Sequence, residues 1–404
     1  ARVDAAPEPP PDARSTDELA PGAEVCLPGT GRALFRVGKL LGKGGFGEVY
    51  VADDAVGGAA RRRALKRVRY SNFDAAKRDD VERQHCEEAL LMLQLGAHPN
   101  IVALHYCVVS DGDEFLMFLT LVDGAKSLDD AITSNGRPGP LYAGTVGAVR
   151  QRIASVLVDV AAALAFCHGR GVLHQDVKQE NVVVGGDGSA KLMDFGLASK
   201  GAGVDGALRA EFMGRTPAFE SPEVRALVAA LLETGLDHEA YKAMKAERRL
   251  SPAEHDIYAF GAMAVGIFCW SHTSKPIKAV VSTGLPPADA SVDDVRAWAG
   301  TLHADSSKIV AALDGLDGAA LRDELELGAI GKPPRKLPFA KVAVLRNALT
   351  APTPALRAIV ARCVASDPAV RFDCGATLLE SLRARGAADG AVSAADEAAD
   401  VPSD

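Results

Sequence analysis

This sequence lacks the features of a protein that is stabilised by disulfides or zinc, binds nucleic acid or spans a membrane. Its seven cysteines never form Cys-x-x-Cys, which argues against a disulfide framework or a zinc site and favours a reducing compartment, cytoplasmic or nuclear. The 45 basic residues are outnumbered by 53 acidic ones, so we expect no nucleic-acid partner. The longest uncharged apolar run, about Ile257 to Trp270, is shorter than the roughly 20 residues of a membrane span. Because the first residue is Ala1 and not Met, the lack of a targeting signal excludes no destination.

The two ends of the sequence differ from its middle. Residues 1–30 hold six prolines without apolar periodicity, which predicts a disordered leader or at most an extended strap. Residues 386–404 are rich in alanine, with five acids and no base, which predicts a disordered tail. We expect one domain over 31–385 between them.

The middle of the chain changes from strand-like to helical patterns. Short β-branched and apolar runs dominate from about residue 31 to 120, interrupted by one helical stretch from about Asp74 to Leu95. Longer helical patterns dominate from about Val146 onward, within a second lobe of about 125–385. The order predicts an α+β fold with a small β-rich N-lobe and a larger helical C-lobe.

A glycine-rich run lies between strand-like residues in the first lobe. It reads Leu41-Gly42-Lys43-Gly44-Gly45-Phe46-Gly47-Glu48-Val49, and its glycines would let backbone amides approach phosphate oxygens. A plain turn is the alternative, whereas a dinucleotide fold is disfavoured because no helix follows.

A lysine and a glutamate accompany this run. Lys66, in Ala64-Leu65-Lys66, can point its ammonium at phosphates under the loop, although a solvated strand lysine is the alternative. Glu88 shares a helix face with Met92, so we expect it, and not Glu87, to hold Lys66 in place.

Two acidic motifs follow in the second lobe. His174-Gln175-Asp176-Val177-Lys178-Gln179-Glu180-Asn181 precedes the predicted strand Val182–Val184, and Asp194-Phe195-Gly196 follows another predicted strand. One carboxylate can position a hydroxyl nucleophile, while an asparagine and a second aspartate can hold magnesium.

In this order and at these spacings, the motifs resemble those of the eukaryotic protein kinase family, of the serine/threonine type. The resemblance covers about residues 34–385. It extends to Thr216-Pro217 and Ser221-Pro222-Glu223 at the end of an activation segment, and to Asp256 and Arg371 as buried anchors of the helical lobe. It implies the two-lobed protein kinase fold and ATP-dependent transfer of phosphate to a serine or threonine of a protein substrate.

The resemblance also implies a role for each matching residue. The segment from Leu41 to Gly47 and Val49 would cover the ATP phosphates, and Val49, Ala64 and Val183 would enclose the adenine. Lys66, paired with Glu88, would hold the α and β phosphates. Asp176 would orient the acceptor hydroxyl and take its proton, Lys178 would steady the γ-phosphate, and Asn181 and Asp194 would hold two Mg²⁺ ions. Either Leu119 or Thr120 would be the gatekeeper.

The sequence departs from the family in its activation segment. Gln175 stands where an arginine usually pairs with a phosphate on that segment, and an uncharged amide cannot form that clamp. The segment from Leu197 to Arg215 has one hydroxyl residue, Ser199. We therefore expect activity without phosphorylation of this segment.

The helical lobe contains two inserts, about 224–250 and 271–350, the second with a helix starting near Ser291. A tolerated surface insertion and docking of a substrate or regulatory partner both stay open for them. Two alternative functions also stay open. One is a pseudokinase-like scaffold that binds nucleotide and partner proteins, and the other is a small-molecule or lipid kinase.

Overall fold

The computed structural model describes residues 19–26, 33–44, 47–54, 61–70, 75–110, 114–134, 137–200, 218–226, 229, 252–269, 285–330, 332 and 337–388. Contacts divide the chain into two compact units. The first comprises residues up to 96 together with 103–121, and the second comprises 97–102 together with the chain from 122 onward. Residues 386–388 of the tail expected to be disordered instead form the end of the helix Gly375–Ala388, which corrects that boundary. The rest of the expected tail, from 389 on, and most of the first insert lie outside the described residues.

The first unit is an antiparallel sheet with one helix. Its elements are β1 Glu24–Cys26, β2 Ala33–Gly44, β3 Gly47–Asp54, β4 Arg62–Arg69, α1 Ala75–Leu95, β5 Leu104–Ser110 and β6 Glu114–Thr120. The strands pair in the order β1-β2-β3-β4-β6-β5, and α1 packs on β5 and β6. The predicted helical stretch is therefore confirmed to within one residue.

One face of this sheet is closed by an aromatic stack. The rings of Phe35, Tyr106 and Phe118 stack with centroids 3.8–5.6 Å apart, on a cluster that includes Tyr50 and Leu65. Alternate residues of a strand point to opposite faces. Lys66, next to Leu65, therefore belongs to the other face.

Part of the segment expected to be a disordered leader is ordered strand. β1 lies in residues 1–30 and pairs with β2, and Val25 packs against the aromatic cluster. The backbone N–H of Leu19 donates to the Tyr50 hydroxyl at 3.0 Å. Expectation of disorder is corrected for these residues, because backbone pairing with β2 stabilises a strand too short to show periodicity.

The second unit is mainly helical. Its helices are α2 Leu128–Ile132, α3 Val146–Gly169, α4 Pro252–Cys269, α5 Val292–Thr301, α6 Ser307–Ala312, α7 Phe339–Leu349, α8 Pro354–Cys363 and α9 Gly375–Ala388. Its short strands are β7 Lys126–Ser127, β8 Thr133–Ser134, β9 Arg137–Pro138, β10 Val172–Leu173, β11 Val182–Val184, β12 Ala190–Leu192 and β13 Ser199–Lys200. The small β-rich unit followed by a larger helical one confirms the α+β prediction.

Helix α3 is the centre of this unit. Thr145 caps it, accepting a hydrogen bond from the N–H of Ala148 at 3.2 Å. By length and apolarity α3 could cross a membrane, but ten of its residues, among them Leu157 and Leu164, are buried inside the protein. Gly375 lets α9 lie against α3, because a Cβ there would be 2.4 Å from the backbone nitrogen of Ala165.

The second insert is folded onto the start of α3. Ser291 and Asp294 form a capping box at the N-terminus of α5, which confirms the predicted helix start. Val146 N–H donates to Leu325 O at 3.0 Å, and the Arg150 guanidinium donates to Leu349 O at 3.1 Å. The described part of the insert is therefore integral to the packing of the lobe.

Candidate active site

The predicted site residues fall on both units. The glycine-rich run forms the arms of the β2–β3 hairpin, with Gly42 opposite Val49 and Gly44 opposite Gly47. Gly47 has φ +134°, and a Cβ on it would lie 2.1 Å from Arg67 O, so only glycine fits. Gly45 and Phe46, at the tip, lie outside the described residues.

The hairpin arms present an open backbone. Leu41 is 45% exposed, and a Cβ on Gly42 would meet no atom within 4 Å. Lys43 Nζ lies 3.1 Å from Glu48 Oε1, which ties one arm to the other. The arms therefore leave backbone groups accessible to a ligand, as a phosphate-covering hairpin requires.

One sheet face carries Val49, Ala64 and Lys66. In the antiparallel register Lys66 lies between Val49 and Met117, and Ala64 lies opposite Leu119. Directly opposed residues share a face, so Leu119 belongs to the face that bears Lys66. The Thr120 hydroxyl instead lies 3.1 Å from His105 Nε2. The register favours Leu119 over Thr120 as the gatekeeper position.

Lys66 pairs with Glu88 in the first unit. Its ammonium donates to both carboxylate oxygens, at 3.0 and 3.1 Å. Their side chains are 13% and 3% exposed. Met92, one turn further along α1, is also buried, which agrees with the helix-face argument for Glu88.

In the second unit, Asp176 is the centre of a compact polar cluster. Lys178 Nζ donates to Asp176 Oδ2 at 2.7 Å, and the Asn181 amide donates to the same oxygen at 2.7 Å and to Asp176 O at 2.8 Å. Burial raises the pKa of Asp176 above its ordinary value, although the Lys178 ammonium acts in the opposite direction. The structure thus brings together three of the predicted residues.

A buried aspartate holds the backbone of this loop. Asp256 accepts hydrogen bonds from the N–H groups of His174 and Gln175, at 2.8 and 2.7 Å, and from the His168 ring at 3.0 Å. It is fully buried. Burial alone would raise the pKa of Asp256, but the hydrogen bond from His168 and the electrostatic effects of His168, His174 and His255 together lower it below its ordinary value. Asp256 is confirmed as a buried anchor. The sequence did not predict that it accepts hydrogen bonds from the backbone of the loop.

Asp194 has a left-handed backbone, with φ +63°. Aspartate tolerates this region better than most residues, but it is still sparsely populated. His174 donates from Nε2 to Met193 O at 3.0 Å, and its ring meets the buried Phe195 ring edge-on at 4.9 Å. The carboxylate motif is thus held by the residue two positions before Asp176.

The donor set suits a hard cation. Asn181 uses its amide nitrogen on Asp176, so its carbonyl oxygen is the atom left to act as a ligand. Within the described residues no group of three or more His, Cys, Asp or Glu could hold a metal on its own. An amide oxygen and a single Asp194 carboxylate fit a cation whose other ligands come from a phosphate or water.

Val183 and Arg371 complete the second unit's predicted residues. Val183 is half-buried in β11, paired with Lys191 and Ser127. The Arg371 guanidinium is fully buried and forms two bonds with the Glu223 carboxylate, at 2.5 and 2.9 Å. Arg371 is confirmed as a buried anchor. Thr216, at the end of the activation segment, lies outside the described residues.

Comparison with known proteins agrees with the resemblance of the sequence motifs to those of protein kinases. The family model of the protein kinase domain matches residues 35–271. The chain is 32% identical over 198 residues to CBL-interacting protein kinase 20 of Oryza sativa subsp. japonica, covering 47% of this chain and 39% of the relative. It is 31% identical over 171 residues to serine/threonine-protein kinase PknD of Protochlamydia amoebophila (strain UWE25), covering 41% and 16%. It is 29% identical over 190 residues to serine/threonine-protein kinase PEPKR2 of Arabidopsis thaliana, covering 46% and 34%. The match therefore spans less than half the length of each of these relatives.

Proposed function

The chain belongs to the protein kinase family, and we propose that it transfers the γ-phosphate of ATP to a serine or threonine hydroxyl of a protein. The observation that carries this proposal is the Asp176 cluster, in which Lys178 and Asn181 both bond to one carboxylate oxygen at 2.7 Å. Phosphoryl transfer depends on positioning and electrostatics more than on covalent chemistry, and these side chains supply both.

Each residue then has a distinct task. Asp176 orients the acceptor hydroxyl and receives its proton, and Lys178 neutralises charge on the transferred phosphate. Asn181 and Asp194 would hold Mg²⁺, which neutralises the phosphate oxygens when bound. In the other unit, Lys66 holds the phosphates of ATP while Glu88 fixes the direction of its ammonium.

Serine and threonine are favoured as acceptors for two reasons. The loop reads Asp176-Val177-Lys178-Gln179-Glu180-Asn181, the form typical of the serine/threonine type. Two of the three relatives compared are named serine/threonine-protein kinases. A regulatory partner at the second insert is a further part of the proposal, supported by a relative that is named for its interaction with another protein.

We further propose that activity does not require phosphorylation of the activation segment. Gln175 carries no charge with which to clamp a phosphate. Ser199 is only 8% exposed, so a kinase could reach it only after local opening. Bacterially expressed chain should keep its activity after phosphatase treatment checked by intact mass. A large loss traced to a site within 197–216 would contradict this.

The test of the main proposal is incubation with Mg²⁺, labelled ATP and a degenerate peptide array. We expect label on serine or threonine peptides and none with Asp176→Asn. The scaffold alternative predicts nucleotide binding by the wild type without label on any peptide. Label on tyrosine peptides alone would contradict the assigned residue class.

A further inference from the structure

Gln175, the residue before Asp176, is held at both of its ends. Its backbone is left-handed, with φ +64°, and its N–H donates to Asp256 Oδ1 at 2.7 Å. Its side-chain amide nitrogen donates to Ser199 Oγ at 2.5 Å. Gln175 therefore does not simply occupy the position of a missing arginine. Its long polar side chain, on a strained backbone, connects the loop to a residue 24 positions away.

Ser199 lies directly after the turn that follows Asp194. The N–H of Ala198 donates to Phe195 O at 2.9 Å, and Ser199 then enters β13, where it lies opposite Leu173 of β10. The serine is buried, at 8% exposure. Its hydroxyl is therefore a fixed acceptor for Gln175.

The neighbouring residue of the loop holds the other side of Asp194. His174 donates to Met193 O at 3.0 Å, immediately before Asp194, while Gln175 bonds to Ser199, five positions after it. The two loop residues thus bracket a segment whose central residue has φ +63°. A backbone in that region persists only where its surroundings hold it.

We propose that Gln175 is a positioning residue that holds Asp194 in place through an uncharged hydrogen bond to Ser199, where relatives with arginine use a phosphate. This inference rests on the proposed kinase function, since it assigns Asp194 the task of holding the metal–nucleotide. It goes beyond that function by naming the contact that replaces the charged clamp. A phosphate on Ser199 would have to be buried against a neutral amide, so it would break the bond.

Amide hydrogen exchange of the full chain without nucleotide tests the bond directly. Gln175→Ala and Ser199→Ala should each raise exchange of the amides from 194 to 200 roughly 5- to 100-fold, the equivalent of a lost buried neutral bond. Because both variants remove the same bond, the double variant should exchange little faster than either single one. Ser199→Thr, which keeps the hydroxyl, should restore most of the protection.

The matched control is Ser189→Ala. Its hydroxyl bonds to Asp187 in the β11–β12 turn, outside the bracketed segment. This variant should leave exchange of residues 194–200 unchanged. Unchanged exchange in Ser199→Ala, or additive effects in the double variant, would overturn the proposed bond.

Calorimetric binding of ADP with Mg²⁺ then tests the positioning role. We expect Ser199→Ala and Gln175→Ala to weaken this binding roughly 5- to 100-fold and to lower kcat, with the KM for peptide unchanged. If exchange rises as expected in both variants but their binding of ADP with Mg²⁺ is unaltered, the positioning role of Gln175 is overturned. A wild type that binds nucleotide but labels no peptide would refute the proposed function alone, because exchange and binding do not depend on transfer.

Discussion

Replacing Lys66 by methionine removes the ammonium from a pair that is nearly closed to water. The side chains of Lys66 and Glu88 are 13% and 3% exposed, with two N–O distances near 3 Å. A buried charge left without its partner destabilises the folded state by roughly 3–5 kcal/mol. The loss cannot exceed about 4 kcal/mol, because Glu88 can instead take up a proton, and protonating an ordinary glutamate at pH 7 costs about that much. We expect Lys66→Met to lower the free energy of unfolding by about 3–4 kcal/mol.

A second substitution should restore stability without restoring activity. Lys66→Met/Glu88→Gln leaves no charge in the pair and should regain about 2 kcal/mol or more of the loss. Phosphoryl transfer should be absent from both variants, because neither has the ammonium that holds the ATP phosphates. Glu87→Gln, on the neighbouring position of α1, is the matched control and should keep both activity and most of the stability.

The assay is urea unfolding at pH 7, followed by circular dichroism, beside transfer from labelled ATP. Two results would refute the reasoning. One is Lys66→Met unfolding within about 0.5 kcal/mol of wild type, since the pair would then contribute nothing as a buried ion pair. The other is a double variant less stable than Lys66→Met alone.

Three further predictions concern the second unit. Asp176→Asn should abolish transfer while leaving the unfolding midpoint within a few degrees of wild type, as calorimetry would show. Asp256→Asn should lower the free energy of unfolding by about 2–4 kcal/mol, because its amide N–H₂ would face donors, whereas the exposed control Asp289→Asn should stay within about 0.5 kcal/mol. Burial acts to raise the pKa of Glu223. Hydrogen bonds from Arg371 and a neighbouring serine hydroxyl, with the charge of Arg371, act in the opposite direction, and the pKa lies below its ordinary value. Its contribution to stability should be present above about pH 4.5 and be lost as pH falls through the folded pKa, so Glu223→Gln should flatten the acid unfolding curve below about pH 4.5.

Local patterns in the sequence were sufficient for much of the fold. The strand Val182–Val184 has the predicted bounds, and the helix predicted to start near Ser291 begins at Val292 with Ser291 as its N-cap. The choice of Glu88 over Glu87 also followed from spacing alone, since residues four apart share a helix face. Each of these features depends on neighbours close in sequence.

Features that depend on distant partners could not be read in this way. β1 has only three residues, and it is stabilised by pairing with β2 and by packing on an aromatic cluster whose members span the first unit. The bond between Gln175 and Ser199 joins two motifs that are 24 residues apart. A signal existed for it, because Ser199 is the only hydroxyl in the segment from Leu197 to Arg215, but composition alone cannot assign a partner.

The packing of the second insert was also beyond local patterns. The sequence predicts one helix in this insert, starting near Ser291, whereas α5, α6 and α7 all lie within 271–350. Leu325 and Leu345 of this region are buried, and Leu325 O accepts a hydrogen bond from the N–H of Val146 at the start of α3. The packing of these apolar residues depends on the start of α3, which is distant in sequence, so local patterns could not predict it.

The most direct test of the central claim is phosphoamino acid analysis of a mixed protein pool treated with the full chain, Mg²⁺ and labelled ATP. We expect labelled phosphoserine or phosphothreonine with the wild type and only background label with Asp176→Asn, although both chains bind nucleotide. It would be contradicted by equal label from Asp176→Asn and wild type, or by a nucleotide-binding wild type that labels no protein.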